Sequence, residues 1–207
     1  KDERSLTVCT KDNKYSIIFV RTQDIPRFVE MNVADVGFTG FDIVKELKSD
    51  VQKIMDLDFG RCDMVVAVKE EDEYSCSKDL PQNIKVATSF PNIAREYFEK
   101  LGKNPQIIEV SGATEITPRL GLSDVVVDIT SSGATLKSNK LRVIDNILSS
   151  SAIIIAARNL NQEKQQKVSS LIRALKSVID SKGKKYLMAH VPKESLKKIK
   201  EFLPGLS

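Results

Sequence analysis

The sequence predicts an α/β fold, and three observations carry that reading. Short stretches rich in Val and Ile recur along the chain, helical periodicities fall between them, and several stretches are unbroken apolar runs. Asp124-Val125-Val126-Val127-Asp128 and Ala152-Ile153-Ile154-Ile155-Ala156 read as strands buried on both faces, as in a mostly parallel sheet covered by helices.

The strands are expected at Ser5–Cys9, Tyr15–Val20, Asp35–Phe38, Asp63–Val68, Ile84–Ala87, Ile107–Val110, Val125–Ile129 and Ala152–Ala156. Asp24 can cap a helix with Pro26 in its first turn. Ser89 can cap the next, with Pro91 early, an apolar stripe of Ile93, Ala94, Tyr97 and Phe98, and Gly102 as its stop. The longest helix is expected from Asn161 to about Ser181. Val168, Leu171, Ile172, Leu175, Val178 and Ile179 recur there at three and four. Gly183 ends it, and a strand Lys184–Val191 and a short helix Ser195–Phe202 follow. The acidic run Lys69–Glu73 is the best linker, so the chain is expected to enter a second lobe near residue 80.

Composition bounds the function. The chain has 207 residues, 41% hydrophobic and 29% charged, which excludes a disordered or low-complexity chain. The net charge of +4 is too small to indicate a nucleic-acid binder. It is unevenly placed: residues 158–207 hold 12 basic against 4 acidic side chains, a net +8. Three widely spaced cysteines (Cys9, Cys62, Cys76) and one histidine (His190) argue against a disulfide framework, a structural zinc site and a His-dependent triad. A reducing cytoplasm is the default for such a chain. No apolar run is long enough to span a membrane.

Chemistry concentrates in Asp128-Ile129-Thr130-Ser131-Ser132-Gly133-Ala134-Thr135-Leu136. A buried strand ends in an acid, and small hydroxyl residues and a glycine precede a helix start. Such a loop can present N–H groups and hydroxyls to a phosphate, or be an ordinary loop with capping side chains. Thr39-Gly40-Phe41-Asp42 has a related layout, read either as a capped turn or as a close-approach point at a sheet edge. Ser111-Gly112-Ala113-Thr114-Glu115 is the third such edge. Cys62 reads as a core residue rather than a nucleophile.

These segments together resemble the ATP phosphoribosyltransferase family. The family's Gly-Leu-Ala-Asp turn, strand into an acid, and Thr/Ser-Gly-x-Thr-Leu loop are mirrored by Gly121-Leu122-Ser123-Asp124, Val125–Asp128 and Ser132-Gly133-Ala134-Thr135-Leu136. Asn139-Lys140-Leu141 corresponds to the family's Asn-Gly-Leu. Glu115-Ile116-Thr117-Pro118 resembles Glu-x-Ala-Pro, with Thr117 where Ala is usual. Further similar stretches begin at Val20, Ala34, Phe59 and Ala87. The family's upstream strand and Lys-Gly-Arg-Leu-type loop have no counterpart here, so an N-terminal segment with basic substrate contacts is expected to be missing.

The resemblance implies a two-lobed catalytic region like the type II periplasmic binding proteins, followed by the start of a ferredoxin-like regulatory domain. The implied layout is 1–79 for the first part of lobe one, 80–142 for a phosphoribosyl-binding lobe two, 143–182 for the return, and 183–207 for an incomplete regulatory domain. It implies a Mg²⁺-dependent glycosyltransferase that joins ATP to 5-phosphoribosyl 1-diphosphate, with histidine as feedback inhibitor. It also implies a cytoplasmic homo-oligomer with no nucleic-acid or membrane partner. By the same resemblance Ser131, Ser132, Gly133, Ala134 and Thr135 hold the 5-phosphate, and Asp128 and Glu115 are the catalytic carboxylates. Gly40, Asp42, Ser111 and Gly112 line the site, and Arg21 and Arg61 add phosphate contacts. The rival reading is a non-enzymatic two-lobed binder of small anionic ligands.

Overall fold

The structure, a computed structural model, describes residues 6–185, 188, 190 and 192–202. It divides into two units, 1–169 and 170–207.

In the first unit β1 (Thr7–Cys9) and β2 (Ser16–Ile18) form an antiparallel hairpin. α1 (Ile25–Glu30), β3 (Val36–Gly40), α2 (Phe41–Leu47) and β4 (Gln52–Asp56) follow. β10 (Ala152–Ala156) lies between β3 and β4, antiparallel to both. Val29, Val51, Ile153, Ile155 and Ala157 make the core of this three-stranded layer. Gly37 lets α1 pack closely, since a methyl group there would stand 2.5 Å from Ile25 Cγ2.

The second layer has five strands in the order β7-β6-β8-β5-β9. They are β5 (Cys62–Lys69), β6 (Lys85–Thr88), β7 (Gln106–Glu109), β8 (Val125–Thr130) and β9 (Leu141–Ser150). β6 runs parallel to β7 and β8, whereas β5 is antiparallel to β8 and β9. One face packs Met64, Val66, Val86, Val125 and Val127 beneath Ala94 and Phe98 of α3 (Pro91–Lys100). The other packs Val65, Ala67 and Val126 with Leu136 of α4 (Ala134–Ser138).

Four expectations are corrected. The apolar run of β10 is buried because it is central in its sheet, and both its pairings are antiparallel. The segment 141–150 is a ten-residue strand that already belongs to the five-stranded sheet. β5 belongs there too, so the chain reaches this sheet by residue 62, ahead of the expected linker near 80. Ser89 does not cap α3: its hydroxyl donates to the Val110 carbonyl, and Glu46 of α2 caps the helix instead.

The helix expected from Asn161 is α5 (Gln162–Ser181), started by Asn161, whose Oδ1 accepts the Lys164 N–H. No residue of α5 is buried, so its apolar stripe is not core. In the second unit Lys193–Ser195 form a 3₁₀ turn leading into α6 (Leu196–Phe202). The expected strand Lys184–Val191 falls partly outside the described residues, and those described within it carry no strand.

Candidate functional site

Because β6, β7 and β8 run parallel, the loops after them open on one carboxyl edge, the place where α/β sheets bind ligands. The loop at 89–90, the turn at 110–113 and the loop at 131–133 all leave from this edge. β5 starts and β9 ends there as well, since Asp63 pairs with both Thr130 and Ser149, and Cys62 pairs with Ser150.

The 131–135 loop is held by its own hydroxyls. Gly133 N–H donates to Thr130 Oγ1 at 2.9 Å, and Ala134 N–H to Ser132 Oγ at 3.4 Å. These side-chain oxygens occupy positions that an anion's oxygens can take, and the second bond is long enough to be exchanged readily. Gly133 is left-handed at φ 71°, with open space where a Cβ would stand. Ser131, Ser132, Ala134 and Thr135 are exposed, while buried Leu136 pins α4 to the sheet.

Asp128 is half-buried at the end of β8. Burial pushes its carboxyl above the usual carboxylate range and the neighbouring Glu115 charge adds to this, against hydrogen bonds from Ile129 N–H and the Thr114 hydroxyl. Asp128 and Glu115 thus lie near enough for their charges to act on one another, on the sheet edge that also carries the hydroxyl loop. A carboxyl of this kind can accept hydrogen bonds from sugar hydroxyls or stabilise positive charge developing nearby.

The remaining candidates divide. Ser111 and Gly112 are exposed in the turn after β7, on the same edge. Gly40 and Asp42 are not free to meet a ligand as expected. Asp42 is buried, and its carboxylate accepts the Ser150 hydroxyl at 2.7 Å while its N–H donates back to Ser150 Oγ at 3.0 Å. Gly40 serves that closure, since a methyl group there would lie 2.3 Å from Asp42 Oδ1. Arg61 is exposed and pairs with Asp58 at 3.1 Å, and Arg21 is exposed ahead of α1. The Cys62 thiol is pushed up by burial and by Asp42, which keeps it protonated and fits a packing role. Among the described residues no three His, Cys, Asp or Glu side chains converge as a metal cage.

Sequence reasoning missed Asp63 and Ser149, which hydrogen-bond at 2.6 Å on the same face of the sheet as Asp128 and Thr130. An acid opening an otherwise apolar strand was the available signal.

In fold, the chain is similar to periplasmic-type solute-binding proteins. The substrate-binding protein of an amino acid ABC transporter superposes with TM-score 0.52 at 18% identity, over 78% of this chain and 74% of that one. That likeness is one of architecture alone. Residues 21–177 match the family description of ATP phosphoribosyltransferase. The ATP phosphoribosyltransferase of Methanosarcina mazei is 45% identical over 206 residues, 100% of this chain and 71% of that protein. The solved ATP phosphoribosyl transferase complex of Thermotoga maritima contains a chain that superposes with TM-score 0.77 at 31% identity, over 87% of this chain and 86% of that one. The chain belongs to the ATP phosphoribosyltransferase family. The expected label of glycosyltransferase is corrected by the same matches, which are to a phosphoribosyltransferase. No helix among the described residues is long and apolar enough to cross a membrane.

Proposed function

We propose that the protein condenses ATP with 5-phosphoribosyl 1-diphosphate to give N1-(5-phosphoribosyl)-ATP and pyrophosphate, the first step of histidine biosynthesis. The observation that carries this reading is the Asp128–Thr135 run at the carboxyl end of β8, which lies inside the family match. N1 of the adenine attacks C1 of the ribosyl donor while the C1–O bond to pyrophosphate breaks and its electron pair leaves with the diphosphate. Positive charge develops at C1, so the protein must orient two polyanions and stabilise that centre, and it needs no nucleophile of its own.

In this reading Ser131, Ser132, Gly133, Ala134 and Thr135 receive the 5-phosphate through N–H and hydroxyl groups. Asp128 takes the ribose hydroxyls, Glu115 supports it, and Ser111 and Gly112 border the same edge. Mg²⁺ would enter with the diphosphate, to which it supplies charge neutralisation, because Mg²⁺ is commonly held by substrate phosphates rather than by a protein cage. Residues 183–207 would belong to a histidine-responsive regulatory module of ferredoxin type, and the enzyme would work as a homo-oligomer in the cytoplasm. The family resemblance supports these last points.

Calorimetric titration with 5-phosphoribosyl 1-diphosphate tests the loop. Replacing Gly133 by Val should weaken binding roughly 10- to 100-fold, as expected for losing one or two charge-assisted hydrogen bonds. Unchanged affinity would place the phosphate elsewhere.

A further inference from the structure

Beneath the Asp128–Glu115 pair runs a line of buried hydroxyls that the proposed reaction does not itself use. Thr114, Thr117 and Ser123 are 1%, 4% and 4% exposed. Thr117 Oγ1 donates to the Thr114 carbonyl at 2.7 Å and lies 2.8 Å from Ser123 Oγ. A hydroxyl has one proton, so with that of Thr117 on the carbonyl, Ser123 must be the donor in the second bond. Thr117 N–H reaches the same carbonyl at 3.1 Å, which engages both of its lone pairs. The line therefore has a fixed direction, from Ser123 through Thr117 to Thr114.

Both ends are anchored. Next to Ser123, Asp124 donates its N–H to the Lys85 carbonyl and accepts the Lys85 N–H on its carboxylate, each at 2.9 Å, at the start of β6. At the other end Ala113 turns the chain through a left-handed φ of 51° into the 3₁₀ turn Thr114–Ile116. That turn packs against β8, sets the Thr114 hydroxyl where it favours the charged form of the Asp128 carboxyl, and carries Glu115. Thr117 and Ser123, six positions apart in the chain, bring their buried hydroxyls face to face. The Thr117 hydroxyl already has the Thr114 carbonyl, whereas the buried Ser123 hydroxyl finds its partner in Thr117.

We propose that the Ser123–Thr117 hydroxyl pair is a positioning element for the Asp128–Glu115 carboxyls, holding the Thr114–Ile116 turn where Thr114 meets Asp128. The proposal rests on the reading of Asp128 given above. Thr117 and Ser123 touch no substrate and act through Thr114.

The test compares Thr117→Ala, Ser123→Ala, their double variant and Thr117→Ser by steady-state kinetics and by carboxyl ¹³C NMR of Asp128. The groups acting on that carboxyl are the Ile129 N–H, Thr114 and Glu115, and its cross-strand partner on β5 is the apolar Val65. Thr117→Ala should lower kcat about 10-fold with KM for the ribosyl donor within about twofold, because a misplaced group impairs the chemical step more than phosphate binding. Thr117→Ser, which keeps the hydroxyl, should stay near the parent. The double variant should lose no more than Thr117→Ala, the non-additivity expected of one connected line. The Asp128 titration midpoint should rise in Thr117→Ala, since the Thr114 hydrogen bond favours the charged form. If Thr117→Ala leaves that midpoint unmoved, the proposal is overturned whatever the activity. If the midpoint rises but no variant and no parent protein forms product, the reaction assigned above is wrong and the positioning line stands.

Discussion

Glu46 offers a direct way to measure what joins the two layers of the first unit. It lies on α2, is 8% exposed, and its two carboxylate oxygens accept the Asn92 and Ile93 N–H groups at 3.0 Å each. Asn92 Nδ2 returns a bond to the Glu46 carbonyl, also at 3.0 Å. α3 begins with Pro91 and receives no cap from Phe90, so a side chain from the other layer does the work of an N-cap. A hydrogen bond to a charged group contributes roughly 1.5–3 kcal/mol, and loss of an N-cap costs about 0.5–2 kcal/mol. Two bonds to one carboxylate are not additive, so Glu46→Ala should destabilise by about 2–4 kcal/mol. Glu46→Gln keeps one acceptor and should cost about half of that. Urea unfolding of the three proteins gives the comparison. A Glu46→Ala cost within about 0.5 kcal/mol, the range of an unremarkable surface change, would refute the inter-layer cap.

Three further outcomes follow from the same geometry. Gly40 has an ordinary φ, so Gly40→Ala should fail sterically: the new methyl displaces Asp42 from Ser150, with a loss of about 1–3 kcal/mol in thermal unfolding, and no loss would contradict the closure. At Gly133 the space is open and φ is positive, so Gly133→Ala should cost only about 1–2 kcal/mol of backbone strain, and a larger loss would mean a steric clash. Asp128 has a folded pKa above its unfolded one, so its charge opposes folding at neutral pH and that penalty fades as pH falls through the raised value. Asp128→Asn should therefore melt higher than the parent protein at pH 7, with the advantage shrinking toward pH 4; an equal advantage at both would contradict the burial argument.

How much was legible beforehand depended on the kind of signal. The apolar runs of β8 and β10 and the glycine stops after α3 and α5 were local, and local chemistry announces itself. Strand direction did not, because an unbroken Ile run looks the same in the middle of a parallel or an antiparallel sheet. β9 escaped notice because its register shifts against β5 in two places, which breaks the alternation a strand should show. β4 is a short, polar-edged partner of β10 with little period to detect. Asp128 and Glu115 were each picked out through family resemblance, from separate motifs. Their shared support by Thr114, Thr117 and Ser123 needed coordinates, since buried hydroxyls nine residues apart carry no periodic mark. Asp42 was open to two readings, a capped turn or a close approach at a sheet edge, and neither hinted that its carboxylate is a buried tie to Ser150, 108 positions away.

The central claim is that one site joins two substrates. Pyrophosphate release should therefore be measured with ATP alone, with 5-phosphoribosyl 1-diphosphate alone, and with both, always in the presence of Mg²⁺. The account predicts release only when both are present, in equal amount with N1-(5-phosphoribosyl)-ATP, and sharply reduced release by Gly133→Val. A protein that binds either compound and never consumes them together would contradict it and leave a two-lobed anion binder in its place.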